Sequence, residues 1–195
     1  NDKFKVLRLR KSVLIPSLST LFIRRETTTS EKLQSLKFTS RFINSFFRPF
    51  FGGIFLESEL RTSSRFFDFV FRMFTQGDGA VPSNGMAAIP GQLASQLPHD
   101  VILMNTEVKD IQLGDLITVH LSDDQLIRSR SVIVATPWQI AENLTGLNIR
   151  SDGFSDYSVT SISYAATTSP VNDNILVLNG SGNGVINHLV CMSDV

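Results

Sequence analysis

The sequence predicts an α/β protein, more closely an α+β arrangement in which a helical part precedes a strand-rich part. Residues 1–75 hold 14 Lys and Arg against 6 Asp and Glu, whereas residues 76–195 hold 4 against 12. Of the 15 phenylalanines, 12 lie between Phe38 and Phe74. Because both properties change near the middle of this 195-residue chain, we expect two units with a boundary in the Gly- and Pro-containing stretch 77–90.

Helical spacing dominates the first part. Phe4, Leu7 and Leu14 recur on one helix face, and Pro16 ends that segment. A second, short helix carries Leu33 and Leu36 and is preceded by Thr and Ser residues that can cap it. These patterns predict a mainly helical region over residues 1–84.

The phenylalanine-rich stretch predicts two further helices with broad apolar faces. The first follows Thr39 and contains Pro49 as a kink or break, and the second follows Ser63. Three uses of these rings stay open: a closed core, a cleft for a bulky apolar ligand, or docking on a membrane surface. Interleaved arginines favour the third use: Arg41, Arg48, Arg61, Arg65 and Arg72.

A helix and a β-meander are expected next. Pro90 fits the first turn of a helix that ends near Leu97, and residues 101–104 form a short apolar strand. Turn residues separate three further strands, expected at residues 107–112, 116–121 and 125–129.

The run 132–135 is β-branched and continuous, which is typical of a buried parallel strand. Pro137 fits the start of a following helix that extends to Leu147. Since α/β sheets bind ligands at the carboxyl ends of their strands, Ala135 and Thr136 mark a candidate ligand site. Later strands are expected at residues 157–166, 174–178 and 187–192.

Several chemistries lack their signatures in this chain. Neither Gly-x-Gly-x-x-Gly nor a phosphate-loop motif occurs, the three histidines are isolated, and Cys191 is the single cysteine. We therefore expect no metal site and no cysteine or serine nucleophile. The zero net charge and the lack of a Lys/Arg run argue against nucleic acid. Without a signal peptide or an 18-residue apolar run, the expected location is cytoplasmic or peripheral to an internal membrane, and not secreted.

An ordered series of motifs carries a resemblance to a known superfamily. Phe-Phe-Arg-Pro-Phe-Phe-Gly-Gly-Ile-Phe-Leu at 46–56 is followed by Thr-Ser-Ser-Arg at 62–65 and Gly-Met-Ala-Ala-Ile-Pro at 85–90. Asn-Thr-x-Val-x-x-Ile at 105–111, the meander and Val-Ile-Val-Ala-Thr-Pro at 132–137 complete the series. Over roughly residues 38–140 the chain resembles the flavin-containing amine oxidase and phytoene desaturase-like superfamily.

The resemblance implies FAD as cofactor and assigns roles to three parts of the chain. Residues 1–84 correspond to a substrate-binding part, residues 85–150 to part of a FAD-binding domain with a Rossmann-like sheet, and residues 151–195 to truncated substrate-domain strands. Three kinds of site contact are implied. The main chain of Val108 contacts adenine, the segment Ala135, Thr136 and Pro137 passes near adenosine and pyrophosphate, and Phe47, Phe51 and Phe71 line a substrate cleft.

The implied activity is removal of a hydride from an amine or an apolar polyene by an FAD-dependent oxidoreductase. The superfamily's glycine fingerprint is missing, so we expect an internal, by itself inactive piece of a longer enzyme, and no side chain stands out as the acid or base. The implied partner is an apolar or amine small molecule, with peripheral membrane contact as a further expectation. A non-catalytic lipid- or partner-binding module with the same fold is the alternative.

Overall fold

The computed structural model describes residues 1–149 and 156–195, and it has an α+β fold that divides into two compact units. The helical unit consists of Asn1–Ser83 together with Tyr157–Val195. The meander unit consists of Asn84–Asp156. The assignment of these parts to a substrate domain and a flavin domain stays a prediction.

The first four helices of the helical unit are capped at their N-termini by Asn, Ser or Thr side chains. The Thr28 hydroxyl accepts from the Glu31 N–H while the Glu31 carboxylate accepts from the Thr28 N–H, which is a complete capping box. The Thr39 and Ser63 hydroxyls also accept from N–H groups at the starts of later helices, without a reciprocal carboxylate. The helices are α1 Asp2–Leu14, α2 Leu18–Phe22, α3 Thr29–Ser35, α4 Ser40–Phe42, α5 Arg48–Phe55 and α6 Ser64–Gln76.

Pro49 neither breaks nor ends the phenylalanine-rich helix. A π-helical turn, Ile43–Phe47, joins α4 to α5, and the Arg48 N–H donates to the Ile43 carbonyl. Pro49 then lies in the first turn of α5, where a missing N–H is tolerated. The predicted break is therefore replaced by a wider helical turn.

The core of the helical unit is a cluster of phenylalanine rings between α5 and α6. Phe47, Phe51 and Phe67 are fully buried, and the ring centroids of Phe51 and Phe67 are 4.7 Å apart. Leu9 and Val13 of α1 close the same cluster. Burying such large rings is the main stabilising contribution available to this unit.

A buried charge cluster ties three separate segments to α6. The Asp68 side chain is fully buried and forms ion pairs with Arg24 at 2.7 Å and Lys32 at 2.5 Å. Arg24 also donates to the Ser12 carbonyl at 2.7 Å. Because one cation contacts each carboxylate oxygen, the Asp68 charge is compensated although it is away from water.

A second charged contact holds α1 to the start of α4. The Thr39 hydroxyl and the Lys5 ammonium both donate to the Asp2 carboxylate, and they lower the pKa of that group from 3.8 to about 2. The contribution of this carboxylate to stability is present above its unfolded pKa and is lost as the pH falls through about 2.

The meander unit contains the predicted three-stranded antiparallel sheet and two helices. Its strands pair in the order β1-β2-β3, and Ile111 lies opposite Val119. Ala141 of the second helix is buried like Ile111 and Leu121 of the sheet. The elements are α7 Ala88–Ala94, β1 Val108–Gln112, β2 Ile117–Leu121, β3 Leu126–Ser129 and α8 Trp138–Thr145.

The strand predicted at 132–135 does not form, and this part of the prediction was wrong. Residues 131–135 have no strand pairing in the structure, and Ile133 is 93% exposed. The segment 101–104 is likewise unpaired and exposed. A parallel strand is stable only with hydrogen-bonded neighbours, and no neighbour for either run occurs among the described residues.

Late in the chain, a two-stranded hairpin replaces the longer strands expected there. β4 Leu176–Leu178 pairs with β5 His188–Val190, whereas residues 157–166 form no strand. This hairpin belongs to the helical unit and packs on α5.

Candidate functional site

The segment before α8 is exposed and made of small residues. Ala135, Thr136 and Pro137 are all solvent-accessible, and Pro137 is the N-cap of α8. No side chain caps this helix start. The start of a helix favours negative charge, and the contact of this segment with adenosine and pyrophosphate stays a prediction.

A carboxylate limits what this helix start can hold. Trp138 Nε1 and Gln139 Nε2 each donate to the Asp156 carboxylate at 2.8 Å. A phosphate at the start of α8 would therefore meet a negative charge nearby. The segment fits contact with a nucleotide, but it does not supply a complete pyrophosphate site.

Val108 is the first residue of β1 and lies at an irregular place in the ladder. It is half-buried opposite Leu121, and the register shifts between Val108 and Asp110. A β-bulge takes main-chain groups out of the regular ladder, so this position is compatible with a backbone contact to a base. Since α8 packs on β1, Val108 and the segment 135–137 belong to the same packed body.

The three phenylalanines assigned to a substrate cleft lie in the core. Phe47 and Phe51 are fully buried and Phe71 is buried, and none of them lines a described cavity. The packing thus supports the closed-core interpretation of the aromatic stretch. A contact of these rings with substrate stays a prediction.

A different part of the helical unit forms a cleft of about 360 Å³. It lies between α5, the turn after α5 and the loop of the β4–β5 hairpin. Leu56, Val159 and Ile186 provide apolar wall, while Asn44 and His188 are among its polar residues.

Glycines allow the hairpin to lie directly on the helix that forms the cleft. A Cβ on Gly53 would stand 3.0 Å from the Asn187 amide nitrogen and from the His188 ring, and a Cβ on Gly180 would stand 2.9 Å from the Ser45 carbonyl. Asn187 Nδ2 donates to the Pro49 carbonyl at 2.7 Å. The Gly-Gly pair at 52–53 was visible in the sequence, but its partner, 130 or so positions later along the chain, was not.

Several polar groups of the cleft are held by neighbours, whereas the buried Oε2 of Glu57 has no hydrogen-bond partner among the described residues. Arg48 donates to the Ser58 carbonyl at 2.7 Å and pairs with Glu59 at 3.2 Å. Glu57 Oε1 accepts from the N–H and the hydroxyl of Thr62, both at 3.0 Å. Asn187 Nδ2 lies 3.1 Å from His188 Nδ1, so this imidazole nitrogen can accept. The cleft therefore combines an apolar wall with positioned hydrogen-bonding groups.

Comparison with protein families gives the class of the chain. The family model of flavin-containing amine oxidoreductases matches residues 14–161, which include most of the described helices and the whole meander. A protein of this class works as a flavin-dependent oxidoreductase. The chain belongs to the flavin-containing amine oxidoreductase family. A search of curated proteins gives no significant match.

The proposed main-chain contact of Val108 can be tested with two substitutions in the flavin-loaded protein. Val108→Pro removes the N–H and should weaken FAD binding about twofold to tenfold, which corresponds to about 0.5–1.5 kcal/mol for one hydrogen bond. Val108→Ile keeps the backbone and should leave the affinity unchanged. Melting curves must accompany the titrations because proline also perturbs a strand. If folded Val108→Pro and Val108→Ile proteins bind FAD with equal affinity, the main-chain contact is refuted.

Proposed function

We propose that this chain is part of an FAD-dependent oxidoreductase that takes a hydride from an amine or an apolar polyene. The observation that carries the proposal is the family match over residues 14–161. A bound flavin would supply the redox chemistry by accepting the hydride from a carbon–hydrogen bond of the substrate. The protein's part is to orient the substrate and to exclude water.

The meander unit is proposed to hold the adenosine end of FAD. Two features support this role: the exposed segment Ala135–Pro137 at the start of α8 and the irregular ladder at Val108. No Gly-x-Gly-x-x-Gly occurs in the 195 residues. We therefore propose that the main pyrophosphate anchor comes from another segment of a longer protein.

Two unpaired apolar runs support the same proposal. Residues 101–104 and 131–135 are extended or irregular; the side chains of 101–104 are exposed, Ile133 is 93% exposed, and Val132 and Val134 are half-buried. β-branched runs of this kind are stable when neighbouring strands cover both edges. A segment that adds strands beside them would bury these side chains and complete the sheet that carries the ligand site.

The cleft on α5 is the proposed contact for substrate in the helical unit. Its volume of about 360 Å³ lies within the size range of small-molecule sites, and its wall is mixed apolar and polar. Leu56 and Ile186 would pack against the hydrocarbon part of an amine or a polyene end. Asn44 and His188 would orient a polar end.

Flavin content separates this proposal from a non-catalytic module. We expect the 195-residue chain alone to show no flavin absorbance and no micromolar binding of added FAD, because the anchor loop is missing. A longer protein that includes a glycine fingerprint should purify with bound FAD and lose its visible absorbance on anaerobic mixing with an amine or a polyene.

Two results would contradict the proposal in distinguishable ways. A stoichiometric flavin in the 195-residue chain would show that no second segment is needed. A longer protein whose bound FAD is reduced by neither class of compound would contradict the hydride transfer, and a binding module would then describe the protein better.

A further inference from the structure

The outward face of α1 carries large apolar side chains that the core does not use. Leu9 and Val13 are fully buried on the inner face of this helix. On the opposite face, Phe4 is 73%, Leu7 53% and Ile15 81% exposed. At 3.6 residues per turn, these three positions follow one stripe along the helix. The helix is thus apolar on two faces, and one of them faces solvent.

Basic side chains lie beside this stripe and within it, since Lys11 falls between Leu7 and Phe4 around the helix. Lys3, Arg8, Arg10 and Lys11 are exposed, and they form no ion pair with any residue in 1–149 or 156–195. The remaining cation of α1, Lys5, is paired with Asp2, the one acidic residue of the helix. Four unpaired cations therefore surround three exposed apolar side chains.

We propose that this outward face of α1, the apolar–basic face, docks on an anionic membrane surface. Charge complementarity selects the partner, since Lys and Arg side chains next to exposed apolar side chains attract an anionic lipid surface. The long basic side chains reach the headgroups while Phe4, Leu7 and Ile15 enter the acyl boundary. The contact is peripheral, because the helices of the described residues are too short or too polar to cross a bilayer.

Three arginines of the phenylalanine-rich stretch are engaged within the helical unit. Arg72 donates to the Val13 and Pro16 carbonyls, Arg65 pairs with Glu26 at 2.8 Å, and Arg48 pairs with Glu59. These side chains hold segments of the helical unit together. Arg41 and Arg61 are also exposed and form no ion pair among the described residues, but α1 carries four such cations on one helix together with its exposed apolar side chains.

Vesicle flotation tests the docking directly and does not depend on flavin. The 195-residue chain is mixed with vesicles of phosphatidylcholine containing 30% phosphatidylserine or of phosphatidylcholine alone. We expect binding to the first and at least fivefold less binding to the second. The triple variant Phe4→Ser/Leu7→Ser/Ile15→Ser and the variant Lys3→Gln/Arg8→Gln/Arg10→Gln/Lys11→Gln should each reduce binding at least fivefold.

A matched control removes the same number of exposed apolar side chains elsewhere. Leu93→Ser/Leu97→Ser/Met104→Ser lies in the meander unit, where all three side chains are exposed, and it should bind like the unsubstituted chain. Circular dichroism checks that each variant is folded.

Three results would overturn the proposal. Binding that does not depend on phosphatidylserine would remove the charge argument, and an equal loss in the control variant would indicate nonspecific adhesion. A dimer in sedimentation velocity that the triple variant on α1 dissociates, without vesicle binding, would assign the face to a second copy of the chain.

Discussion

Exchanging Arg24 and Lys32 together for methionine should lower the unfolding free energy of the helical unit by about 3–5 kcal/mol. Both cations contact the fully buried Asp68 carboxylate, at 2.7 and 2.5 Å. The double substitution leaves that carboxylate without a charged partner and away from water. Methionine keeps most of the side-chain volume, so the loss reports the missing charges rather than a cavity.

The matched variant adds Asp68→Asn to the double substitution. A neutral amide is less unfavourable to bury than an uncompensated carboxylate, so the triple variant should recover part of the stability. Urea unfolding followed by circular dichroism measures all three proteins. If the double variant loses less than about 1 kcal/mol, the cluster behaves like an ordinary surface ion pair and our interpretation of Asp68 is wrong.

This cluster also shows what the sequence could not predict. Asp68 occurs inside an apolar helix pattern, where a single acidic residue indicates nothing about its partners. Arg24 and Lys32 come from other segments, and the pairing arises only when α3 and the chain before it pack on α6. Helical periodicity and capping residues are local signals, and they correctly predicted most helices and the meander.

The strand predicted at 132–135 failed for a different reason: the local signal is present, but the partner strand is not. Its β-branched run is a correct local signal, but a strand also needs a neighbour to accept its hydrogen bonds, and that neighbour is not among the described residues. The position of Pro137 at the start of α8 was predictable because proline fixes its own backbone.

The candidate cleft was beyond sequence reasoning for a similar physical reason. Its walls come from α5 and from a hairpin far along the chain, and the glycines that allow their approach have no side chains to mark the contact. The density of phenylalanines instead led to the prediction that Phe47, Phe51 and Phe71 line a cleft. Ring density indicates burial, but it does not tell whether a ring faces the core or a ligand.

Phe51→Ala should lower the unfolding free energy by about 3–5 kcal/mol, since a fully buried ring is replaced by a cavity. The centroid of the Phe51 ring lies 4.7 Å from that of Phe67 and 5.1 Å from that of Phe50. Little of the cavity left by Phe51 can therefore be refilled without moving several side chains. Phe74→Ala is the matched control, because that ring is about half exposed, at 48%, and its removal should cost about 1 kcal/mol.

The same pair of variants decides between the core and the cleft interpretation of the phenylalanine-rich helices. A core ring that is truncated weakens folding, and any folded protein that remains should bind a long apolar amine or a carotenoid as before. Truncating a ring that lines a cleft should leave folding stability nearly unchanged and weaken ligand binding. If Phe51→Ala loses less than about 1.5 kcal/mol of stability while ligand affinity in the flavin-loaded protein falls tenfold, the ring contacts substrate and the closed-core interpretation is wrong. The complete burial of Phe51 leads us to expect the loss of stability.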